Sequence, residues 1–215
     1  MKHNGTLNVT KENIKYAQSL TSCGDLDVRA DLKAPALTRC DYLDVRADFK
    51  APALTSCGYL DVRADFKAPA LTSCGYLDVR ADFKAPALTR CGKLRVYADF
   101  KAPLLTSCGN LDVMADFKAP LLTSCGDLRV YADLEAPALR NAKTLYIKNG
   151  VNFDYSNIEF EAGRVLCVSE YALHYKNGLF TAGCREKLTK EQALAHWGGR
   201  TDARALMFVD AIKGV

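Results

Sequence analysis

Residues Leu54–Ala70 read LTSCGYLDVRADFKAPA, and this 17-residue phrase decides the fold. Copies of it begin at Leu20, Leu37, Leu54, Leu71, Leu88, Leu105 and Leu122 and run without a gap to Ala138. A unit this short cannot bury an apolar face alone, so the copies must stack as successive coils of a solenoid. Within the copy, Leu60, Val62, Ala64 and Phe66 alternate with Asp61, Arg63 and Asp65, the period-2 pattern of a half-buried strand. Leu71 and Cys74, three residues apart, suit a tight bend. Gly75, between bend and strand, is expected at positive φ. All seven prolines, Pro35 to Pro137, fall at one position of the copy. Proline cannot donate to a ladder, so that column marks a corner.

The expected architecture is a mainly β, right-handed solenoid of 17-residue rungs with one main parallel sheet. A β-helix of two or three sheets is the alternative. The order L-x-x-C-x-x-L-x-V-x-A-x-F resembles leucine-rich repeats, although those units run to roughly 20–29 residues. Three regions follow. Residues 1–19 form an N-terminal cap, in which Leu7 and Val9 anticipate the strand pattern and Lys11–Ser19 (KENIKYAQS) suits a short helix. Residues 20–148 form the solenoid, its seven clear copies followed by a degenerate rung at Leu145 and Ile147. About nine rungs at ~4.8 Å each make a sheet of roughly 40 Å. Residues 149–215 form an α+β capping module, beginning at Asn149-Gly150 where the repeat is lost. There, residues 164–171 and 172–183 read as strands, and Asn177-Gly178 is a hairpin signal. Thr189-Lys190-Glu191-Gln192 is a capping box that opens one helix. A second, over residues 202–213, carries Ala205, Phe208, Val209 and Ile212 on one face.

Seven of the nine cysteines (Cys23, Cys40, Cys57, Cys74, Cys91, Cys108 and Cys125) share one position of the copy. Stacking puts them in a single file with parallel Cβ directions. Neither the perpendicular torsion of a disulfide nor the tetrahedral convergence of a zinc site is reached in a straight file. They are expected as buried free thiols acting as small hydrophobes; Cys167 and Cys184 lie outside the array. The tail gathers the residue types of catalysis, with Cys184, His174, His196, Trp197 and Glu186. No catalytic motif surrounds them, no glycine-rich phosphate loop follows a strand, and no metal-ligand cluster is evident. The expectation is therefore no enzyme, with no catalytic, cofactor-binding or metal residues and no cofactor.

The chain carries 29 Lys and Arg against 25 Asp and Glu. The seven copies hold 15 of the former and 16 of the latter, so the positive excess sits in the flanks. That balance is too weak for a nucleic-acid footprint. No apolar stretch approaches the roughly 20 residues of a membrane span, and Met1–Gly5 is followed by no apolar leader segment. A cytoplasmic location is expected, with no membrane partner.

The repeat phrase APALTSCGYLDVRAD, at residues 51–65, and the tail at residues 175–212, YKNGLFTAGCREKLTKEQALAHWGG…RALMFVDAI, are similar to segments of bacteriophage and prophage proteins with leucine-rich-repeat-like arrays. The resemblance implies a phage or prophage gene and a repeat fold. It implies no reaction.

What varies between copies is the outward face. Four columns are expected on it. The first runs Asp25, Tyr42, Tyr59, Tyr76, Lys93, Asn110, Asp127, and the second is aspartate except at Arg95 and Arg129. The third runs Arg29, Arg46, Arg63, Arg80, Tyr97, Met114, Tyr131, and the fourth is aspartate from Asp31 to Asp133. Alternating Asp and Arg columns should cross-pair diagonally. Copies five to seven break the pattern with Arg95, Tyr97, Met114, Arg129 and Tyr131. Tyr, Met and Arg are enriched in interface cores. Together with Tyr42, Tyr59 and Tyr76 they are the expected contact residues for a protein partner, taken to be a host bacterial protein. The expected function is a non-catalytic scaffold that modulates or inhibits that protein. The alternatives are a nucleic-acid-associated solenoid, against which the unbroken aspartate column argues, and a purely structural phage protein.

Overall fold

The computed structural model describes residues 1–148, 151, 153–183 and 185–215. It is a right-handed β-solenoid whose coils each cross two parallel sheets. In the fourth copy the long strand is Ser73–Val79, and the corresponding strands of the other copies include Arg39–Val45, Ser56–Val62 and Arg90–Val96. They pair parallel and in register, Cys to Cys, Leu to Leu and Val to Val. The opposite wall is narrow. Two-residue strands from Leu32–Lys33 to Leu134–Glu135 form a second parallel sheet, an addition to the one main sheet the sequence pattern suggests. Lys2–Val9 adds a parallel strand before the first copy, and Thr144–Ile147 extends the sheet after the last. The helix α1 (Ile14–Gln18) lies at the N-terminal end and buries Ala17.

Two local expectations fail for one reason. Cysteine is not in the bend, and the coil glycine is not at positive φ. The strand starts at Ser73, the ladder passes from Cys74 to Tyr76, and Gly75 is left out of it. Every coil shares this kink, so Cys74 and Leu77 both point inward although they are three residues apart. Positive φ occurs at Gly5, Gly163, Gly178 and Gly183 but at no glycine of the seven copies. Glycine is required by close approach instead. A Cβ at Gly75 would lie 2.5 Å from the carbonyl oxygen of Gly58. At Gly58, Gly92, Gly109 and Gly126 it would run into the carbonyl of the same position one coil earlier.

The interior follows from the constant positions. In the second copy Leu37, Cys40, Leu43, Val45, Phe49 and Ala51 are all fully buried, and the same positions are buried in every other copy except at Ala136 of the seventh, which is half-buried. Phe49, Phe66, Phe83, Phe100 and Phe117 stack at centroid spacings of 5.3–5.7 Å. Each such pair contributes about 0.5–1.5 kcal/mol beyond its buried area. Proline occupies the corner, where Leu71 N–H donates to the Ala68 carbonyl across Pro69. This is a turn with proline at the position that favours its fixed φ. Beside it runs a threonine row, in which Thr72 Oγ1 donates to the Thr55 carbonyl at 3.0 Å and Thr55 to Thr38 at 3.1 Å. The cysteines of the file are free and buried. Cys57, Cys74 and Cys91 donate their S–H to the carbonyl two residues on, at 2.9–3.0 Å. Burial pushes the Cys125 thiol up to about 12, so it stays protonated.

After the last rung the direction reverses. The strand Arg164–Lys176 runs antiparallel to Thr144–Ile147 and closes that edge of the sheet. It is one continuous strand where the sequence suggests a break near Tyr171. Asn177 and Gly178 both take positive φ, as a two-residue hairpin turn requires, and lead to Leu179–Ala182. A further strand, Arg185–Leu188, follows. Helix α2 (Lys190–Gly198) opens on the capping box expected at Thr189 and Gln192. Helix α3 (Ala203–Lys213) is capped by Asp202. Trp197, Phe208 and Ile212 bury against Leu173 and Phe180 in a second, smaller core. The proposed boundary at Asn149-Gly150 lies outside the described residues, as does Cys184. None of the described helices is long and apolar enough to cross a membrane.

Candidate functional site

The long sheet presents its variable residues outward as three columns rather than four. The strand ends at the valine, so the fourth column, Asp31 to Asp133, turns onto the corner between the two sheets. Asp48, Asp65 and Asp82 are exposed there.

The second column is the least expected. Asp44, Asp61, Asp78 and Asp112 face outward, yet they are only 1–3% exposed. Arginine makes this tolerable. Arg63 reaches Asp61 of its own coil at 2.6 Å, and its Nε lies 3.5 Å from Asp44 Oδ1 one coil earlier. Arg80 does the same with Asp78 at 3.1 Å and Asp61 at 3.3 Å, and Arg46 with Asp44 and Asp27. Asp44 and Asp61 thus each lie between two guanidinium groups, one from their own coil and one from the next. The arginine stems cover the carboxylates, which is why an outward position is buried. Hydrogen bonds to Asp44 and Asp61 raise the pKa of Arg46 and Arg63 above the ordinary guanidinium range.

At the fifth copy the ladder changes hands. The third column loses its arginines to Tyr97, Met114 and Tyr131, while the second gains Arg95 and Arg129. Arg95 Nε lies 3.1 Å from Asp112 Oδ2, and Arg129 Nη1 lies 3.1 Å from Asp112 Oδ1. Arg95 also pairs in register directly beside Asp78. Compensation that ran diagonally in the first copies runs straight along one column in the last. Arg95 and Arg129, expected as partner contacts, therefore belong first to the sheet.

The aromatic residues are organised as well. Tyr42, Tyr59 and Tyr76 stack at 4.8 and 4.7 Å with nearly parallel rings. Lys93 and Arg95 cap that strip over Tyr76 at 5.3 and 5.5 Å. Burial, followed by Asp78 and Asp61, raises the Tyr59 hydroxyl to about 12, so the strip stays neutral. Arg80 sits 5.1 Å over the ring of Tyr97. Tyr131 leans on Tyr146, and Tyr146 meets Tyr171 edge-on at 4.8 Å. Of the eight expected contact residues, Tyr42 and Tyr97 are the most open, at 39% and 40%. Met114 is half-buried.

The residues singled out in the tail fall elsewhere. His174, His196 and Trp197 line a cleft of about 480 Å³ where the last rungs meet the C-terminal elements. Arg129, Lys143, Arg185, Arg200 and Arg204 line it too. The sequence reading missed the lysine and the last three arginines, though the positive excess of the flanks was their trace. Among the described residues no three His, Cys, Asp or Glu side chains gather as a metal site.

No family model, curated protein or solved structure matches the chain. The phage and prophage resemblance of the two phrases finds no support in these comparisons.

Proposed function

We propose that this solenoid is a non-catalytic scaffold that docks a protein partner on the outward face of its long sheet. The stacked strip Tyr42–Tyr59–Tyr76 carries the reading. Tyrosines held ring on ring have already lost most of their rotamer freedom, so a partner meets ordered, amphipathic area at low entropic cost. Tyr97 continues the surface one coil beyond, and Met114 and Tyr131 follow it. The face then ends at Tyr146 and Tyr171 against the C-terminal elements. A nucleic acid is the weaker candidate, because the exposed aspartates of the corner column flank the face along its length.

The phage-like phrases make a bacterial host protein the partner to look for. Affinity capture from a bacterial lysate tests the reading, with wild-type protein compared with Tyr42→Ala and Tyr97→Asp. Both substitutions sit at the most open positions and leave the buried Asp–Arg ladder intact. A specific partner should be retained by the wild type and lost or weakened at least tenfold by the pair. A partner held equally by both proteins places the interface elsewhere.

A further inference from the structure

We propose that the cleft between the last rungs and the C-terminal helices binds a protonated phosphate group, as free hydrogenphosphate or as a small phosphate monoester, through its arginines and the Nε2 atom of His174. Two independent observations meet there. The first is charge. Lys143, Arg185 and Arg200 line the cleft, and no described carboxylate lies within ion-pair distance of them. Arg129 and Arg204 add to them, the former shared with Asp112 and the latter near Asp202 and over the ring of Tyr171. Asp127 is the one carboxylate among the described lining residues, and it is engaged by the Thr144 hydroxyl at 2.8 Å. Such a surplus of guanidinium groups on a concave wall is what phosphate recognition uses.

The second observation is an orphan. His174 is 1% exposed, and its Nδ1 lies 3.1 Å from the Gly163 carbonyl. A carbonyl only accepts, so Nδ1 must carry the proton. In the neutral ring Nε2 is then a lone-pair acceptor. That buried Nε2 has no hydrogen-bond partner among the described residues, and an unsatisfied buried polar atom is costly. Burial keeps this imidazole below its ordinary pKa, consistent with the neutral form. His174 lines the same cleft as the arginines, and an acceptor on that wall has a particular consequence for an anion bound there. A fully deprotonated anion satisfies the guanidinium groups and repels the lone pair. An anion that keeps one O–H satisfies both. Hydrogenphosphate and a monoester near its second ionisation fit this description, whereas sulfate and a phosphodiester do not. The cleft volume of about 480 Å³ lies in the range of small-molecule sites.

Trp197, the single tryptophan of the chain, lines the same cleft and supplies the readout. The full chain is titrated near pH 6.5 at low ionic strength with sodium phosphate, sodium sulfate, glycerol 1-phosphate and a single-stranded oligonucleotide, following Trp197 fluorescence. Saturable binding of phosphate is expected, at least fivefold tighter than sulfate. The Arg185→Gln, Arg200→Gln pair, both exposed, should weaken phosphate about tenfold. His174→Phe should reduce the preference for phosphate over sulfate to near unity while sulfate binding persists. Should His174→Phe fail to fold, the arginine pair and the wild-type anion preference decide alone. Glycerol 1-phosphate binding tighter than inorganic phosphate assigns the site to a monoester, and the reverse assigns it to the free ion. Equal affinity for phosphate and sulfate, no saturable response, or tighter binding of the oligonucleotide would overturn the proposal.

Discussion

Copies one to four and copies five to seven solve the same problem in two ways. Both carry outward carboxylates buried under their neighbours, and both surround them with arginine. In the first group the arginine stands two residues after the aspartate and reaches back one coil, as Arg80 does to Asp61. In the second, the arginines of the aspartate column itself hold Asp112 from either side. The difference frees the third column. Once Arg95 and Arg129 neutralise the carboxylate along the column, positions 97, 114 and 131 no longer have to be basic. The aromatic and methionine side chains there are thus permitted by a rearrangement that leaves the fold balanced. Apparent irregularities of a repeat can be one coordinated change.

The largest effect should come from stripping a carboxylate of both its arginines. Arg95→Met alone leaves Asp112 with Arg129, and the reverse single leaves it with Arg95, so each should cost about 1 kcal/mol or less. The double variant leaves a carboxylate at 3% exposure without a cation and should cost about 3–5 kcal/mol. Arg46→Met with Arg63→Met isolates Asp44 in the first group, while Asp27 keeps Arg29 and Asp61 keeps Arg80, and should show the same non-additivity. Urea denaturation of both cycles checks this. Additive singles in either group would mean that its arginines do not share their aspartate.

Steric strain at the coil glycine comes next. Gly109→Ala places a Cβ against the Gly92 carbonyl and should cost about 1–3 kcal/mol as overpacking. At Gly24 the nearest atom to an added Cβ is Gly5 N, at 3.1 Å, so Gly24→Ala should cost well under 1 kcal/mol in the same melts. Position 41 carries aspartate natively, which shows that a coil can give way to one Cβ where the array allows. Equal costs at Gly24 and Gly109 would refute the close-approach account of the glycine column.

The glycine also shows where the sequence was legible and where it was not. Periodicity revealed the repeat, the inward Leu, Cys and Val, and the proline corner, because each is a rule about one copy. It misjudged the glycine and the strand start because both depend on the coil below. Single-copy reasoning infers positive φ from a lone glycine, while stacking demands it for a missing Cβ. The site divides in the same manner. Tyr42, Tyr59 and Tyr76 could be recognised as a strip from spacing alone. The pairing of Arg95 and Arg129 with Asp112 needs the register across coils. The cleft needs more still, for Lys143, Arg185, Arg200 and His174 come from segments that no repeat relates.

His174 adds a pH dependence of its own. Burial lowers its pKa in the folded chain from the ordinary 6.5, against a smaller opposing pull from the Gly163 carbonyl. The unfolded chain then takes up a proton that the folded chain resists. Nothing is lost above the ordinary value. As pH falls below it, stability should drop, by at most about 1.4 kcal/mol per unit, until the folded pKa is reached. His196, lowered by burial, Arg185 and Arg200, acts in the same direction. Urea midpoints near pH 5 and pH 7.5 should therefore differ more for the wild type than for His174→Phe. An unchanged difference would relieve His174 of the role.

The smallest expected effect on stability divides scaffold from surface most sharply. Arg95→Asp with Tyr97→Arg rewrites the fifth copy by the rule of the first four. Residue 97 would then reach back to Asp78, whose Oδ1 has no hydrogen-bond partner, as Arg80 reaches Asp61. It would also hold the new carboxylate of its own coil, and Asp112 would keep Arg129. Every buried aspartate retains a guanidinium group, so stability should stay within about 1 kcal/mol of wild type. The aromatic surface, however, loses Tyr97, the most exposed of its tyrosines. If the departures of the later copies exist for a partner, this nearly isoenergetic variant should lose capture of that partner. If it folds as well and binds as well, copy five departs from the repeat without functional consequence, and the partner face contracts to Tyr42, Tyr59 and Tyr76.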